Sequence, residues 1–156
     1  MENRIGLSQE GTKKVAEHMN TYLANLHVLY TKLHNYHWNV VGPEFFTLHA
    51  KLEELYDGVA EEIDEVAERI LMIGHRPDAS LADYLKKATI KEEASEPVSG
   101  RTIVETLLAD YTSLIKDLRK AIVDAQEIGD EVSADMMIGA LANHEKTVWM
   151  LDSYLK

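Results

Sequence analysis

The sequence contains no cysteine, little proline and no long apolar segment, and each shortage excludes a class of protein. Without cysteine, neither disulfides nor thiolate metal sites are available. Only three of the 156 residues are proline, which favours long helices. No segment approaches the roughly 20 apolar residues that span a bilayer, and the N-terminus lacks an apolar signal segment. We therefore expect a soluble, cytoplasmic, all-α protein without a membrane segment.

Basic residues are also scarce. Sixteen lysine and arginine residues stand against 27 aspartate and glutamate residues, so the formal net charge is −11. Nonspecific affinity for DNA depends mainly on lysine and arginine contacts to phosphates, and this excess of acids opposes such contacts. Before the periodic region only Arg4, Lys13 and Lys14 are basic, and Lys156 ends the chain. DNA binding is therefore not expected.

Apolar residues recur at helical spacing in four long segments, which predicts one four-helix bundle in a single domain, residues 1–156. Ser80 and Asp83 are spaced as a capping box, which predicts a short extra helix between the second and third long ones. Gly74 and Pro77 end the second long helix, and Gly129 ends the third. Residues 91–100 are polar and contain Pro97 and Gly100, so they are predicted to form a loop. The connection from Gly74 to Gly100 is long enough to cross the bundle. The second and third long helices should therefore run parallel. The predicted helices are 8–38, 44–74, 80–88, 101–127 and 131–155.

Several aromatic residues and histidines are explained by packing. Phe45 and Phe46 are predicted to lie in the core, and Trp149 is expected to fill space as buried indoles do. His144 stands alone on the apolar stripe of the last helix, where a hydrogen-bonded core histidine is commoner than a metal ligand. No Glu-x-x-His motif occurs, which argues against a di-iron centre inside the bundle.

The second long helix carries a stripe of metal-binding residue types. On a helical wheel, His49, Glu53, Asp64 and Glu68 fall at about 0°, 40°, 60° and 100°. The apolar residues of this helix centre near about 280°, so the stripe lies off the core. His37 ends the preceding helix and is close to the start of the stripe. Taken singly, such residues usually form a solvated face. Together they suggest a metal site in two halves.

The two halves are too far apart to hold one ion. His49 and Asp64 are 15 residues apart, or about 22 Å along a helix, whereas metal–ligand bonds are about 2 Å long. A second copy packed antiparallel across a two-fold axis would bring the histidine end of one stripe beside the acidic end of the other. Ala60, near the midpoint, is small enough for close approach. Two equivalent sites per dimer are expected.

The chain resembles the Dps family (DNA-binding protein from starved cells), the miniferritins, over a long gap-free signature. This signature is H-W-N-V-V-G-P-E-F-F-T-L-H followed by L-Y-D-G-V-A-E-E-I-D-E-V-A-E-R-I-L-M-I-G-H-R-P. The resemblance extends to W-M-L-D-S-Y-L near the C-terminus and so covers nearly the whole chain. It implies an all-α, ferritin-like four-helix bundle with a short helix in the long connection. It also implies a homo-oligomer, a hollow dodecamer.

The resemblance further implies a ferroxidase centre at the subunit two-fold axis. One chain would supply His37, His49 and Glu53, and its partner would supply Asp64 and Glu68. The family usually has aspartate at the position of Glu53, so the geometry, affinity and oxidation rate of the site can differ here. Ferrous iron would be oxidised, with hydrogen peroxide preferred over oxygen, and stored as ferric mineral. Zinc suits the same imidazole and carboxylate ligands.

The resemblance also assigns roles to neighbouring residues. Trp38 would intercept oxidising equivalents near the iron site, and its alternative role is to fill space. The position of His34, three residues before His37 on a neighbouring face of the helix, predicts independently of the resemblance that it supports the ligands without binding metal. Acids between the last two helices would line three-fold pores and concentrate cations, although acids at a helix N-terminus also favour the helix dipole. These pore candidates are Glu131, Asp135, Glu127 and Asp130.

Two other functions stay open at this point. One is a DNA-compacting Dps shell in which iron chemistry is secondary, which retention of duplex DNA in a gel would reveal. The other is a structural helical oligomer whose histidines and acids form ion pairs. In that case, removal of His37 and His49 would leave iron oxidation unchanged.

Overall fold

The computed structural model describes residues 3–156, which form four long helices and one short one. The helices are α1 Gly11–Asn39, α2 Phe45–Met72, α3 Leu81–Lys87, α4 Gly100–Glu127 and α5 Glu131–Tyr154. This architecture confirms the predicted all-α four-helix bundle with an extra short helix between the second and third long ones. Among residues 3–156, no helix has both the length and the apolarity needed to cross a membrane.

Two short strands pair in parallel and show how the helices are oriented. β1 (Val40–Val41) directly follows α1, β2 (Val98–Ser99) directly precedes α4, and Val40 pairs with Val98. The end of α1 and the starts of α2 and α4 therefore lie together, so α2 and α4 run parallel. Segment 91–100 had been predicted as loop alone, because two residues of strand are too short to show periodicity.

Glycine and cap residues end the helices where the sequence indicated. Gly74 follows α2 with φ +91°, and Gly129 follows α4 with φ +71°, both in the left-handed region that glycine tolerates. The Ser80 side chain accepts a hydrogen bond from the Asp83 amide at the start of α3. These local signals therefore indicate where each of these helices begins or ends without reference to tertiary packing.

α1 is the central element of the bundle. It packs against both α2 and α4, and α4 packs against α5. Leu26, Leu29 and Leu33 of α1 are completely buried. Within the described residues 3–156, α2 and α5 do not pack closely against each other. The two helical hairpins therefore leave a groove between α2 and α5.

Two of the packing predictions are wrong. Phe46 is 85% exposed, whereas Phe45 packs against the core. The wheel that placed His49 at zero explains the difference, because Phe46 falls at about 60° beside the metal-ligand stripe and Phe45 at about 320° on the apolar face. Trp149 is also exposed, at 65%, and does not fill the core.

The prediction for His144 is confirmed, because it is a buried and hydrogen-bonded core histidine. Its Nε2 atom lies 2.6 Å from the Tyr22 hydroxyl oxygen. The Tyr22 hydroxyl donates its one hydrogen to the Glu62 carboxylate, so Nε2 of His144 donates to the Tyr22 oxygen. Burial lowers the pKa of His144 to about 4 and raises the pKa of Glu62 to about 7. A hydrogen-bonded polar network thus lies among the apolar core side chains.

Candidate metal centre

A tight turn between α1 and α2 brings two histidines together. Gly42 has φ +114°, a conformation that glycine adopts without strain. The Phe45 amide donates to the Gly42 carbonyl oxygen at 3.1 Å, which closes the turn at the start of α2. His37 in the last turn of α1 then faces His49 in α2, and their rings stack with centroids 3.7 Å apart.

The two histidines hold each other through reciprocal hydrogen bonds. Nδ1 of His37 is 2.8 Å from the His49 carbonyl oxygen, and Nδ1 of His49 is 2.8 Å from the His37 carbonyl oxygen. A carbonyl oxygen can only accept, so each Nδ1 carries the hydrogen. In the neutral imidazole, the form that binds metal ions, this arrangement leaves the lone pair on Nε2.

Tyr56 connects the histidine pair to its surroundings, and the sequence analysis did not identify it. Its ring stacks on His34 at 3.8 Å and meets His37 edge-on at 5.4 Å. Burial, followed by the nearby Glu53 carboxylate, raises the pKa of the Tyr56 hydroxyl. Its position three residues after Glu53 could have indicated it, because residues three apart on a helix are neighbours on the same face.

The predicted support residues lie beside this cluster. His34 stacks on Tyr56, and its Nδ1 lies 3.0 Å from the Tyr30 carbonyl oxygen. Trp38 is 69% exposed, with its ring centroid 5.3 Å from that of His34. Their roles at an iron site stay predictions.

The acidic half of the predicted site lies further along the same helix. Glu53, Asp64 and Glu68 are all exposed on α2. Within residues 3–156, no three histidine, aspartate or glutamate side chains are close enough to hold one metal ion. The structure thus brings His37 and His49 together but leaves the distant carboxylates apart. A centre that uses all five residues requires a second chain.

The four pore candidates differ in their surroundings. Glu127, Glu131 and Asp135 are exposed near the turn between α4 and α5. The Asp130 side chain is only 1% exposed and pairs with Arg69 at 2.6 Å. It also accepts hydrogen bonds from the Ser133 amide and hydroxyl, and so caps α5. We therefore leave Asp130 out of any pore.

Sequence comparison identifies relatives along nearly the whole chain. Residues 16–156 match the ferritin-like domain family. DNA protection during starvation protein 2 of Bacillus anthracis is 45% identical over 144 residues, which cover 92% of this chain and 97% of that protein. DNA protection during starvation protein of Brevibacillus brevis is 47% identical over 142 residues, covering 91% and 95%.

Solved structures give the same result. Dps from Vibrio cholerae O1, described as a member of a broad superfamily of ferritin-like diiron-carboxylate proteins, has a TM-score of 0.95 and 42% identity, covering 99% of this chain and 96% of that one. Dps from Listeria innocua, in a crystal soaked with zinc, has a TM-score of 0.87 and 35% identity, covering 90% and 95%. The chain belongs to the Dps family of ferritin-like proteins.

Proposed function

We propose that this protein is a ferroxidase and that twelve copies of it assemble into a hollow shell, which stores iron. It oxidises ferrous iron at the two-fold subunit interfaces, preferably with hydrogen peroxide, keeps the ferric mineral inside and so limits oxidative damage. The observation that carries the proposal is the pair formed by His37 and His49, whose Nε2 atoms are free at the head of an acidic stripe. Membership of a family that includes diiron-carboxylate proteins supports an iron-related function.

Each residue type has a defined task in this reaction. The neutral imidazoles of His37 and His49 bind ferrous iron, while Glu53 and the Asp64 and Glu68 carboxylates of a second chain favour the harder ferric ion. Two ferrous ions supply the two electrons that break the O–O bond of hydrogen peroxide. The ferric product hydrolyses to mineral and releases protons. Peroxide and iron are consumed together, which limits hydroxyl radical formation.

The surroundings of the site complete the proposal. Exposed Glu131 and Asp135, with Glu127 nearby, line the pores and attract cations towards the cavity. Trp38 gives up an electron when oxidant exceeds iron, and His34 supports the site through Tyr56. Zinc competes for the same ligands, and the assembly works in the cytoplasm.

Removal of both histidines tests the proposal directly. Ferrous iron is added to the protein without oxygen, hydrogen peroxide follows, and ferric absorbance is recorded. We expect the wild-type protein to oxidise iron rapidly and keep it in solution, and a His37→Ala, His49→Ala variant to lose at least about tenfold in rate.

The matched control is a His18→Ala, His27→Ala variant, which also loses two histidines. His18 pairs with Asp124 and His27 stacks on Tyr84, both away from the proposed centre. This control should keep the wild-type rate. Equal rates in all three proteins would instead favour a structural oligomer whose histidines and acids form ion pairs.

DNA compaction is the second candidate function, because relatives are named for DNA protection. The net charge of −11 opposes it. In a gel shift at low salt we expect duplex DNA to migrate freely at every protein concentration. Retention that weakens steeply as salt is added would support DNA binding through phosphate contacts and make the iron chemistry secondary.

A further inference from the structure

We propose that Tyr22, Glu62 and His144 form a second metal site, inside each chain, that binds one divalent transition-metal ion such as Zn²⁺ or Fe²⁺. The three side chains come from α1, α2 and α5 and meet at the base of the groove between α2 and α5, where Glu62 lines both cavities, Tyr22 one of them and His144 the other. None of them belongs to the five residues of the interface centre. This proposal can therefore be tested independently of the proposed ferroxidase centre.

The donor atoms are close enough to share one ion. Nε2 of His144 lies 3.8 Å from the nearer Glu62 carboxylate oxygen. An ion with bonds of about 2.0–2.2 Å can bridge that separation. The Tyr22 hydroxyl contacts both groups and provides a third donor atom. One imidazole nitrogen with oxygen donors is a set that zinc and ferrous iron both accept.

The imidazole is held ready for such an ion. The His144 ring lies between Tyr22 and Tyr111, with ring centroids 6.1 and 5.1 Å away. Burial keeps the ring neutral at physiological pH. Because Nε2 donates its hydrogen to the Tyr22 oxygen, an ion that binds Nε2 displaces this hydrogen, which moves to Nδ1 or is released to water. Orientation by neighbouring groups raises the affinity of a metal-binding histidine.

The groove supplies a route and space for water ligands. Two adjoining cavities of about 460 and 440 Å³ both reach Glu62. Gly58 of α2 and Gly139 of α5 line this groove, and a Cβ atom added at either would meet nothing within 4 Å. A close-packed bundle would fill such space with side chains. The open groove leads from the surface to the three buried donors.

The charge at the rim favours cations. Glu61, Glu65 and Asp135 line the cavity that contains Tyr22 and Glu62. Carboxylates along a concave surface concentrate positive ions by focusing the electric field. Asp135 is also one of the proposed pore residues, so an ion that passes it is already at the mouth of the groove.

Zinc is the probe for the test, in a His37→Ala, His49→Ala background that removes the interface histidines. Crystals of the full assembly are soaked in Zn²⁺ and measured at the zinc absorption edge, and binding in solution is followed by calorimetry. We expect anomalous density between Glu62 and His144. Glu62→Gln, which preserves side-chain shape, should abolish this density and weaken that binding step at least about tenfold.

The matched control is Glu65→Gln, which removes one carboxylate of the attracting rim but no donor to the ion. It should keep the anomalous density and weaken zinc binding far less than Glu62→Gln does. The proposal is overturned if no density lies at the site, if Glu62→Gln binds zinc like the background protein, or if Glu65→Gln loses as much as Glu62→Gln. The last outcome would show that zinc is attracted diffusely by the acidic rim and is not bound by Glu62.

Discussion

Assemblies reconstituted from equal amounts of two inactive variants are expected to recover about a quarter of the wild-type iron oxidation rate. One variant lacks the histidine half of the site, as His37→Ala, His49→Ala. The other lacks the distant acids, as Asp64→Ala, Glu68→Ala. A mixed pair of chains then has one site with both halves intact and one with neither. Random pairing gives mixed pairs half of the time.

A second mixture separates this interpretation from a site inside one chain. Wild-type chains are mixed with a variant that carries all four substitutions, and subunit exchange is confirmed by native mass spectrometry. Sites shared between chains again give about a quarter of the wild-type rate, whereas sites within one chain give about half. No recovery in the first mixture, together with half the rate in the second, would refute the two-fold centre.

Arg69→Met should lower the free energy of unfolding by about 3–5 kcal/mol, because the substitution leaves a buried carboxylate without its cation. Arg69 pairs with Asp130 at 2.6 Å and donates from Nε to the Ser133 hydroxyl at 2.8 Å. Both side chains of the pair are almost fully buried. The measurement is urea unfolding at a fixed protein concentration, since assembly adds to apparent stability.

An exposed ion pair provides the comparison. Arg119 pairs with Glu145 on the surface, and Arg119→Met should change stability by less than about 1 kcal/mol. Combining Arg69→Met with Asp130→Asn should restore part of the loss, because asparagine is uncharged and still caps α5. Equal losses for Arg69→Met and Arg119→Met would show that the burial of the Arg69 pair is not what stabilises the turn.

The fold was accessible from the sequence because its signals are local. Helical periodicity and the stops at Gly74 and Gly129 act within a few residues and need no knowledge of tertiary contacts. The ligand stripe was found for the same reason, since α2 is one unbroken helix and its wheel separates His49 from the apolar face. Phe46 was predicted wrongly although that wheel already placed it on the polar side.

The remaining features depend on contacts between distant segments. Asp130 was grouped with pore acids because its pairing with Arg69 joins residues 61 positions apart. The contact of Tyr56 with His34 and the groove between α2 and α5 likewise arise only when helices pack. Residue type and spacing along one helix cannot predict which neighbouring helix a side chain meets.

Each histidine of the pair is hydrogen-bonded to the main-chain carbonyl oxygen of the other. Replacement of one imidazole therefore leaves the acceptor of its neighbour in place, so point substitutions at the two positions should have graded effects. Insertion or deletion of a single residue between them would move both carbonyl oxygens at once. During evolution, the interval of 12 residues from His37 to His49 is thus constrained in its length, separately from the identity of most residues within it.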